Sequence, residues 1–423
     1  MSLIDIDRKT AYEVLEKVEL LNAYSNIELN NRIGFNKPNN PSFVREIVYG
    51  VIKNKYLLDY YIDQFAKKVD KKDKILLEMG IYQLAFMDSV PNYAAISTTV
   101  DLAKKVRYGK DKFINGVLRN FERTRDKIKE PKEEYLKYSI DKDLYSLILD
   151  QYGEEDCRKI LKVSNITPDL SIRVNTNLIS SEDLKKELED NGYLVNNSSY
   201  SNRALIVKGK GLIESLEFKK GYFSIQDQSS ILSIDVFLED YNGANEFIID
   251  TCAAPGGKSL SIREKISKDS HVISCDIYNN KLKLIDSECE RLSLNKIETF
   301  MHDSRNVVQG WINKADRVLC DVPCSGLGVF RRKPEIKLKN DIDFDELIKT
   351  QEEILNTSSK YVKNGGILQY STCTININEN EDQISKFLRN NEDFRLEKEI
   401  KLLQSDDTDG FYIARLRKNA SRI

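Results

Sequence analysis

The chain has 423 residues, 40% of them hydrophobic and 31% charged, and a formal net charge of −2. That length supports two or three domains with substantial cores, and the composition excludes a disordered or fibrous chain. The near-neutral balance means that any contact with a polyanion must come from local clusters, not from the field of the whole molecule.

No apolar run approaches the roughly 18 residues of a membrane span. The first 17 residues alternate charged and apolar side chains without a secretory pattern, so a cytoplasmic location is expected and no membrane partner. There are seven cysteines, an odd number, no C-x-x-C pair, and only two histidines, His271 and His302. Neither a disulfide framework nor a structural metal site is expected. Cys157, Cys252, Cys275, Cys289 and Cys320 read as small apolar fillers, whereas the neighbours of Cys324 and Cys373 set those two apart.

Residues 1–128 read as all-helical. Tyr12, Leu15, Val18 and Leu21 recur at helical spacing, and Ser42 is the expected cap of a second pattern through Phe43, Ile47, Val51 and Ile52. Further helices are expected over 74–87, 94–106 and 112–123, with Pro91-Asn92 as the break between the first two. The strings F-V-R-E-I-V-Y-G (43–50) and K-F-I-N-G-V-L-R-N (112–120) resemble the RNA-binding NusB family. The resemblance gives the basic cluster Lys104, Lys105, Arg107, Lys110 and Lys112 an RNA-binding expectation. Taken alone, such a run is more often a solvated face.

Residues 129–225 read as linker helices (133–152 and 154–163) followed by a small α+β module. Its expected parts are a strand at 170–175, a helix at 181–192 capped by Ser181, and strands at 205–207 and 222–225. Lys208, Lys210, Lys219 and Lys220 fall on its turns, which fits a packing spacer or an RNA-positioning lobe equally well.

From 226 to the end the pattern alternates strand and helix. Strands are expected at 247–251, 271–276, 297–301, 317–321 and 366–371, with helices at 258–266, 279–292, 343–362 and 378–390. A last strand pair is expected at 394–397 and 410–416. This is a Rossmann-like, doubly wound sheet with βαβ crossovers.

In such sheets ligands bind beyond the carboxyl ends of the strands. The first strand runs into D-T-C-A-A-P-G-G-K-S (250–259), a glycine turn that opens a helix. Glycines let the main chain approach a ligand, and the helix start presents unpaired N–H groups. Acids close the strands: Asp250, Asp276, Asp303 just past the third, and Asp321. Such acids can cap the following helices, but four beside a glycine loop favour an adenosine cofactor. The loop is neither G-x-G-x-x-G nor a P-loop, so no polyphosphate is implied. S-adenosyl-L-methionine is the expected cofactor.

Two strings point to the acceptor: D-V-P-C-S-G-L-G (321–328) and Y-S-T-C-T (370–374). Each places a cysteine just beyond a strand end, on the rim that carries the acids. Cytosine C5 is not nucleophilic in the ground state, but a thiolate adding to C6 makes it so. A cysteine in a polar turn beside a helix start is the type of residue that can ionise for this purpose.

With the run on to R-R-K-P-E-I-K (331–337), these strings resemble the successive motifs of the RNA cytosine-5 methyltransferases. With the NusB-like front end, the whole chain resembles the bacterial Fmu/Sun (RsmB) type. The resemblance implies methylation of C5 of a cytosine in 16S ribosomal RNA through a covalent cysteine–C6 adduct. It implies Cys373 as nucleophile, Cys324 as the group that assists breakdown of the adduct, and Asp321 as the residue holding the base. Cys252, Ala253, Ala254, Pro255, Gly256, Gly257 and Lys258 would wrap the methionine part of the cofactor. Asp276 would bind its ribose, Asp303 would lie on the adenine side, and Asp321 would border the same pocket. Arg331, Arg332 and Lys333 would contact RNA. The expected partner is 16S ribosomal RNA or a small-subunit assembly intermediate, met by a monomer. DNA cytosine methyltransferases use the P-C cysteine as nucleophile, so the role of Cys373 depends on the Y-S-T-C-T string. The motifs specify the reaction, not the address: transfer RNA or another ribosomal site is the alternative acceptor, and a non-catalytic RNA chaperone or assembly factor the alternative class.

Overall fold

Helix starts in the front of the chain are set by capping side chains and apolar stripes. The helix Ile6–Leu21 begins at Asp5, whose carboxylate accepts the Arg8 N–H, and it buries Ala11, Tyr12, Val14, Leu15 and Val18. Pro41–Lys53 is capped by Asn40, not by Ser42: the Asn40 side chain accepts the Phe43 N–H and Pro41 takes the first helical position, where no N–H is needed. Lys71–Phe86, Asn92–Val106 and Asp111–Thr124 follow close to expectation. Two further helices, Ser25–Asn36 and Lys55–Asp63, carry only Leu29, and Leu58 with Ile62, as buried apolar side chains, too few for a visible period. Gly50 ends the F-V-R-E-I-V-Y-G string for a packing reason, since a Cβ there would lie 1.9 Å from the Tyr82 ring.

The computed structural model describes residues 5–405 and 407–420. It comprises two units, Met1–Ile166 with Phe330–Asp341, and Thr167–Val329 with Ile342–Ile423. The helices Glu134–Lys137 and Lys142–Ser164 thus go with the helical front end, the longer one interrupted at Gly153 with φ +74°. Within this first unit, Lys337 is fully buried. Its ammonium donates to the carbonyls of Lys53 (3.2 Å) and Tyr138 (2.9 Å) and to Asn165 Oδ1 (2.5 Å). Burial pulls this amine down to about 7.

The second unit carries both sheets. The small one is antiparallel, in the order β2-β3-β1-β4, from β1 (Leu170–Val174), β2 (Leu194–Asn197), β3 (Ala204–Lys208) and β4 (Phe223–Ile225). β2 was not expected, because a four-residue strand with one buried side chain shows no alternation. The helix before it, Ser181–Asp190, is capped by Ser180 and not Ser181.

The large sheet has seven strands: β5 (Phe247–Asp250), β6 (His271–Asp276), β7 (Glu298–Met301), β8 (Ala315–Asp321), β9 (Val362–Thr372), β10 (Phe394–Leu402) and β11 (Phe411–Lys418). Their order is β10-β11-β9-β8-β5-β6-β7, with β5 to β9 parallel and the last pair antiparallel. The chain winds outward from β5 through β6 to β7, then returns to β8 on β5's other side. This reversal opens the crevice at the carboxyl ends of β5 and β8. The fold is the doubly wound one expected, with an additional helix, Gln228–Phe237, leading into β5.

The small sheet is tied to the loop after β5. Arg173 on β1, fully buried, makes a two-pronged pair with Glu264 (2.7 and 2.8 Å) and donates to the Gly257 carbonyl at 2.9 Å. Asn175 donates to the carbonyls of Gly221 and Leu292. The S-I-R-V-N string therefore serves packing against the large sheet's helices.

Candidate active site

β5 ends in Asp250, which is fully buried. Its Oδ2 accepts the Ser259 hydroxyl at 2.6 Å, and Ser274 donates to Ser259 Oγ at 2.7 Å. Burial pushes this carboxyl up to about 7; the Ser259 bond pulls the other way and the Asp321 charge adds to the rise. Asp250 thus braces the glycine loop from beneath. Gly256 has φ +107°, and a Cβ there would lie 2.6 Å from Ile285 Cγ1. Only glycine fits that turn. The helix Gly257–Lys265 that follows has no side-chain cap for its first N–H groups.

Asp276 closes β6. One oxygen accepts the Tyr278 N–H at 2.9 Å; the other has no protein partner among the described residues. Asp303 stands two residues past β7, but its carboxylate is engaged by Arg305, with contacts of 2.7 to 3.2 Å, and lies below the usual carboxylate range for that reason.

Asp321 closes β8 and is held on both oxygens. Lys258 Nζ donates to Oδ2 at 2.6 Å and Ser371 Oγ to Oδ1 at 2.8 Å. Burial pulls the Lys258 ammonium down, but the Asp321 charge outweighs it, with a contribution from Cys373, and the net shift is upward. Lys258, expected only as part of the cofactor wrap, therefore stands between Asp321 and the T-C cysteine. Its ammonium also lies 5.2 Å from the centre of the Phe411 ring.

The two cysteine loops meet. Cys324, beyond β8, and Cys373, beyond β9, have their sulfurs 3.4 Å apart, with no disulfide between them. Cys373 beside it, and then burial, push the Cys324 thiol well above its ordinary range. The Gly328 N–H donates to the Cys373 carbonyl, and the Gly410 N–H to the Gly328 carbonyl. A Cβ on Gly328 would come within 2.2 Å of the Gly410 carbonyl oxygen, which explains the glycine in S-G-L-G. Glu379 and Asn380, just past the Y-S-T-C-T string, are fully buried beside these loops and were not singled out from the sequence. An acid that is buried and one that is solvated look alike in a sequence.

Arg331, Arg332 and Lys333 belong to the helical unit. Arg331 is 4% exposed and donates to the Ile166 carbonyl at 3.4 Å, Arg332 is half-buried and Lys333 is exposed. In the same unit Arg107 is bound to Asp73 and Asp70, whereas Lys105, Lys112 and Tyr108 are exposed, Tyr108 by 97%.

Comparison with known proteins agrees with the fold. Residues 238–417 match the family model of 16S rRNA methyltransferase RsmB/F, residues 5–123 that of the NusB family, and residues 144–214 an RsmF/B-like ferredoxin-like domain. The chain is 34% identical to the probable ribosomal RNA small subunit methyltransferase B of Bacillus subtilis, over 97% of this chain and 98% of that protein. It is 32% identical to ribosomal RNA small subunit methyltransferase B of Shewanella oneidensis, over 99% of each. Among solved structures, PH0851 shares the fold along 99% of this chain and 100% of its own, with a TM-score of 0.83 at 22% identity. With two curated relatives matched end to end, the chain belongs to the RsmB/F family of 16S ribosomal RNA methyltransferases.

Proposed function

We propose that the protein transfers a methyl group from S-adenosyl-L-methionine to C5 of a cytosine in 16S ribosomal RNA in the cytoplasm, the resemblance being to the enzymes that modify cytosine 967. The observation that carries this reading is the 3.4 Å approach of Cys324 and Cys373 at the strand ends that also present Asp321 and the glycine loop.

The residues fit the cofactor. Open N–H groups at the start of Gly257–Lys265 suit its carboxylate, and the tight turn at Gly256 admits it closely. The free oxygen of Asp276 suits ribose hydroxyls. The segment Cys252–Lys258 lines the methionine part and Asp303, already paired with Arg305, borders the adenine side. When bound, S-adenosyl-L-methionine supplies an electrophilic methyl group.

The chain's own groups do the rest. Asp321, fixed by Lys258 and Ser371, accepts from the exocyclic amine of cytosine and holds the ring. The Cys373 thiolate adds to C6, the C5–C6 π pair moves to C5, and C5 takes the methyl group. Water takes the C5 proton, the C5–H pair re-forms the C5–C6 double bond, and the Cys373 thiolate is expelled. Cys324, kept as a thiol, sits against the breaking S–C6 bond and assists that collapse.

RNA is held by the helical unit. Exposed Lys105 and Lys112 contact phosphates, and Tyr108 offers a face for stacking a base. Of the R-R-K string, Lys333 and Arg332 face the RNA, while Arg331 supports them from within.

The test is incubation of the purified protein with S-adenosyl-L-methionine and unmodified 16S transcript, read by bisulfite sequencing. One protected cytosine is expected. No protection in 16S RNA, with protection in a transfer RNA pool, overturns the substrate assignment.

A further inference from the structure

Two loops from different strands must keep two sulfurs in contact while one bonds to RNA and the other does not. The P-C loop and the T-C loop are 49 residues apart in sequence, and no disulfide joins them. Glu379 lies where they meet, with no exposed surface.

Its Oε2 accepts the main-chain N–H of Ser325 at 2.9 Å and the Gln351 amide at 2.9 Å. Its Oε1 accepts the Ser325 hydroxyl at 2.5 Å and the Asn376 amide at 3.0 Å. Ser325 directly follows Cys324, and Gln351 also donates to the carbonyl of Pro323, which directly precedes it. Both flanks of Cys324 are therefore fixed from one carboxylate and its neighbour. On the other side, Ser325 Oγ is 2.8 Å from the hydroxyl of Thr374, which follows Cys373. Asn380 completes the grip: it accepts the Thr372 hydroxyl at 2.6 Å and donates to the Thr374 carbonyl at 3.0 Å. The Tyr370 hydroxyl donates to the main-chain carbonyl of Glu379 at 2.6 Å and anchors it to β9.

A buried carboxylate is costly unless hydrogen-bonded, and these donors are all neutral. A glutamine at 379 would present an NH2 group to donors on one of its two sides, so the site needs an acceptor on both. The carboxylate's charge has a second effect, because it adds to the forces that keep Cys324 protonated.

We propose that Glu379 is a positioning residue for the methyl-transfer reaction, the clamp that sets Cys324 against Cys373. The inference rests on the roles assigned to the cysteines above. It accounts for a geometry that the cysteine motifs alone leave unexplained: two loops with no covalent link are tied by the Gly328 N–H to the Cys373 carbonyl and by one side chain that accepts from both Ser325 and, at 3.5 Å, the Thr374 hydroxyl.

The test uses the full-length protein and Glu379→Gln, with Ser325→Ala as the milder variant that removes only the hydroxyl link. Alkylation of each cysteine by iodoacetamide is followed against pH by peptide mass spectrometry, which needs no RNA. Methylation of 16S transcript and the affinity for S-adenosyl-L-methionine are measured on the same samples, with Cys373→Ala alongside. Glu379→Gln is expected to bind S-adenosyl-L-methionine within about twofold of the parent and to methylate at least ~100-fold more slowly. Its Cys324 alkylation profile is expected to move to lower pH by about one unit, as when a like charge is removed. Ser325→Ala should shift both in the same directions by less. Parent-like turnover in Glu379→Gln with an unmoved Cys324 profile overturns the clamp, even if Cys373→Ala is inactive and the cysteine chemistry stands. Methylation surviving in Cys373→Ala instead overturns the cysteine roles and the clamp's catalytic part, while a shifted Cys324 profile would still support the placement of Glu379. Should Glu379→Gln fail to fold, parent-like alkylation profiles and turnover in Ser325→Ala overturn the proposal.

Discussion

Lys258, from the loop after β5, donates to Asp321 at the end of β8 across 2.6 Å, and its charge also acts on Cys373. One side chain thereby connects the glycine loop, Asp321 and Cys373, the proposed base holder and nucleophile. Lys258→Met keeps most of the volume and removes the ammonium. Asp321 then loses a charge-assisted bond of about 1.5–3 kcal/mol, so turnover should fall roughly ten- to a hundredfold. Cys373 alkylation should also shift to higher pH, because the cation that favours the thiolate is gone. Parent-like turnover and an unmoved Cys373 profile would show that Lys258 serves the cofactor alone.

Asp250 carries a pH signature of its own. Its carboxyl is raised by burial to about 7 from an ordinary value near 3.8, so the folded state keeps its proton where the unfolded state loses it. That contribution to stability is complete below the unfolded value and is lost as pH rises through 7, on the order of 4 kcal/mol over the window. Asp250→Asn cannot ionise. Between pH 4 and 8 its denaturant midpoint should fall less steeply than the parent's; equal slopes in urea titrations would contradict this.

At Asp276 the expectation concerns the cofactor alone. One oxygen is spent on the Tyr278 N–H, and the other, with no partner among the described residues, is the one proposed to meet the ribose hydroxyls. Asp276→Ala should weaken S-adenosyl-L-methionine binding by about 2–3 kcal/mol. Calorimetry with an unchanged dissociation constant would remove Asp276 from the site.

The sequence was most informative where chemistry and backbone demand coincide. The glycine loop, the acids at strand ends and the two cysteine strings were all legible, because strand ends in a doubly wound sheet converge by topology. The caps at Asn40 and Ser180 were each misplaced, since adjacent polar residues offer equivalent caps until the main-chain direction is known. The helices Ser25–Asn36 and Lys55–Asp63 were missed because they bury so little. Glu379 was beyond reach for another reason: its partners Ser325 and Gln351 lie 54 and 28 residues away, and no local pattern encodes such contacts. The basic string 331–337 was legible as charge but not as structure, for Lys337 is a buried donor to three acceptors and Arg331 is nearly buried.

RNA binding by the helical unit calls for point substitutions, since this unit draws on residues as far apart as the first helix and 330–341. Lys105→Ala with Lys112→Ala should weaken binding of 16S transcript and reduce the magnitude of its salt slope by about 2, one for each phosphate deprived of its lysine. Tyr108→Ala should cost about 1–3 kcal/mol with the slope unchanged, as loss of a stacked base does. Filter binding between low and physiological salt distinguishes the two. If neither variant departs from the parent, this surface has another use.

The cysteines give the sharpest contrast, because one is assigned to making a bond and the other to breaking it. The sulfurs are 3.4 Å apart, so distance alone does not apportion the proposed roles. Their surroundings differ: the Cys324 thiol is pushed well up by its neighbour and by burial, whereas Lys258 lends its positive charge to Cys373. Cys373→Ala should therefore abolish both methylation and any covalent RNA–protein species. Cys324→Ala retains the nucleophile, so it should attack and methylate once, then fail to release. The stalled product would run as a slower band on a denaturing gel and disappear with nuclease. If Cys373→Ala accumulates that band and Cys324→Ala does not, Cys324 is the nucleophile and the assignment reverses.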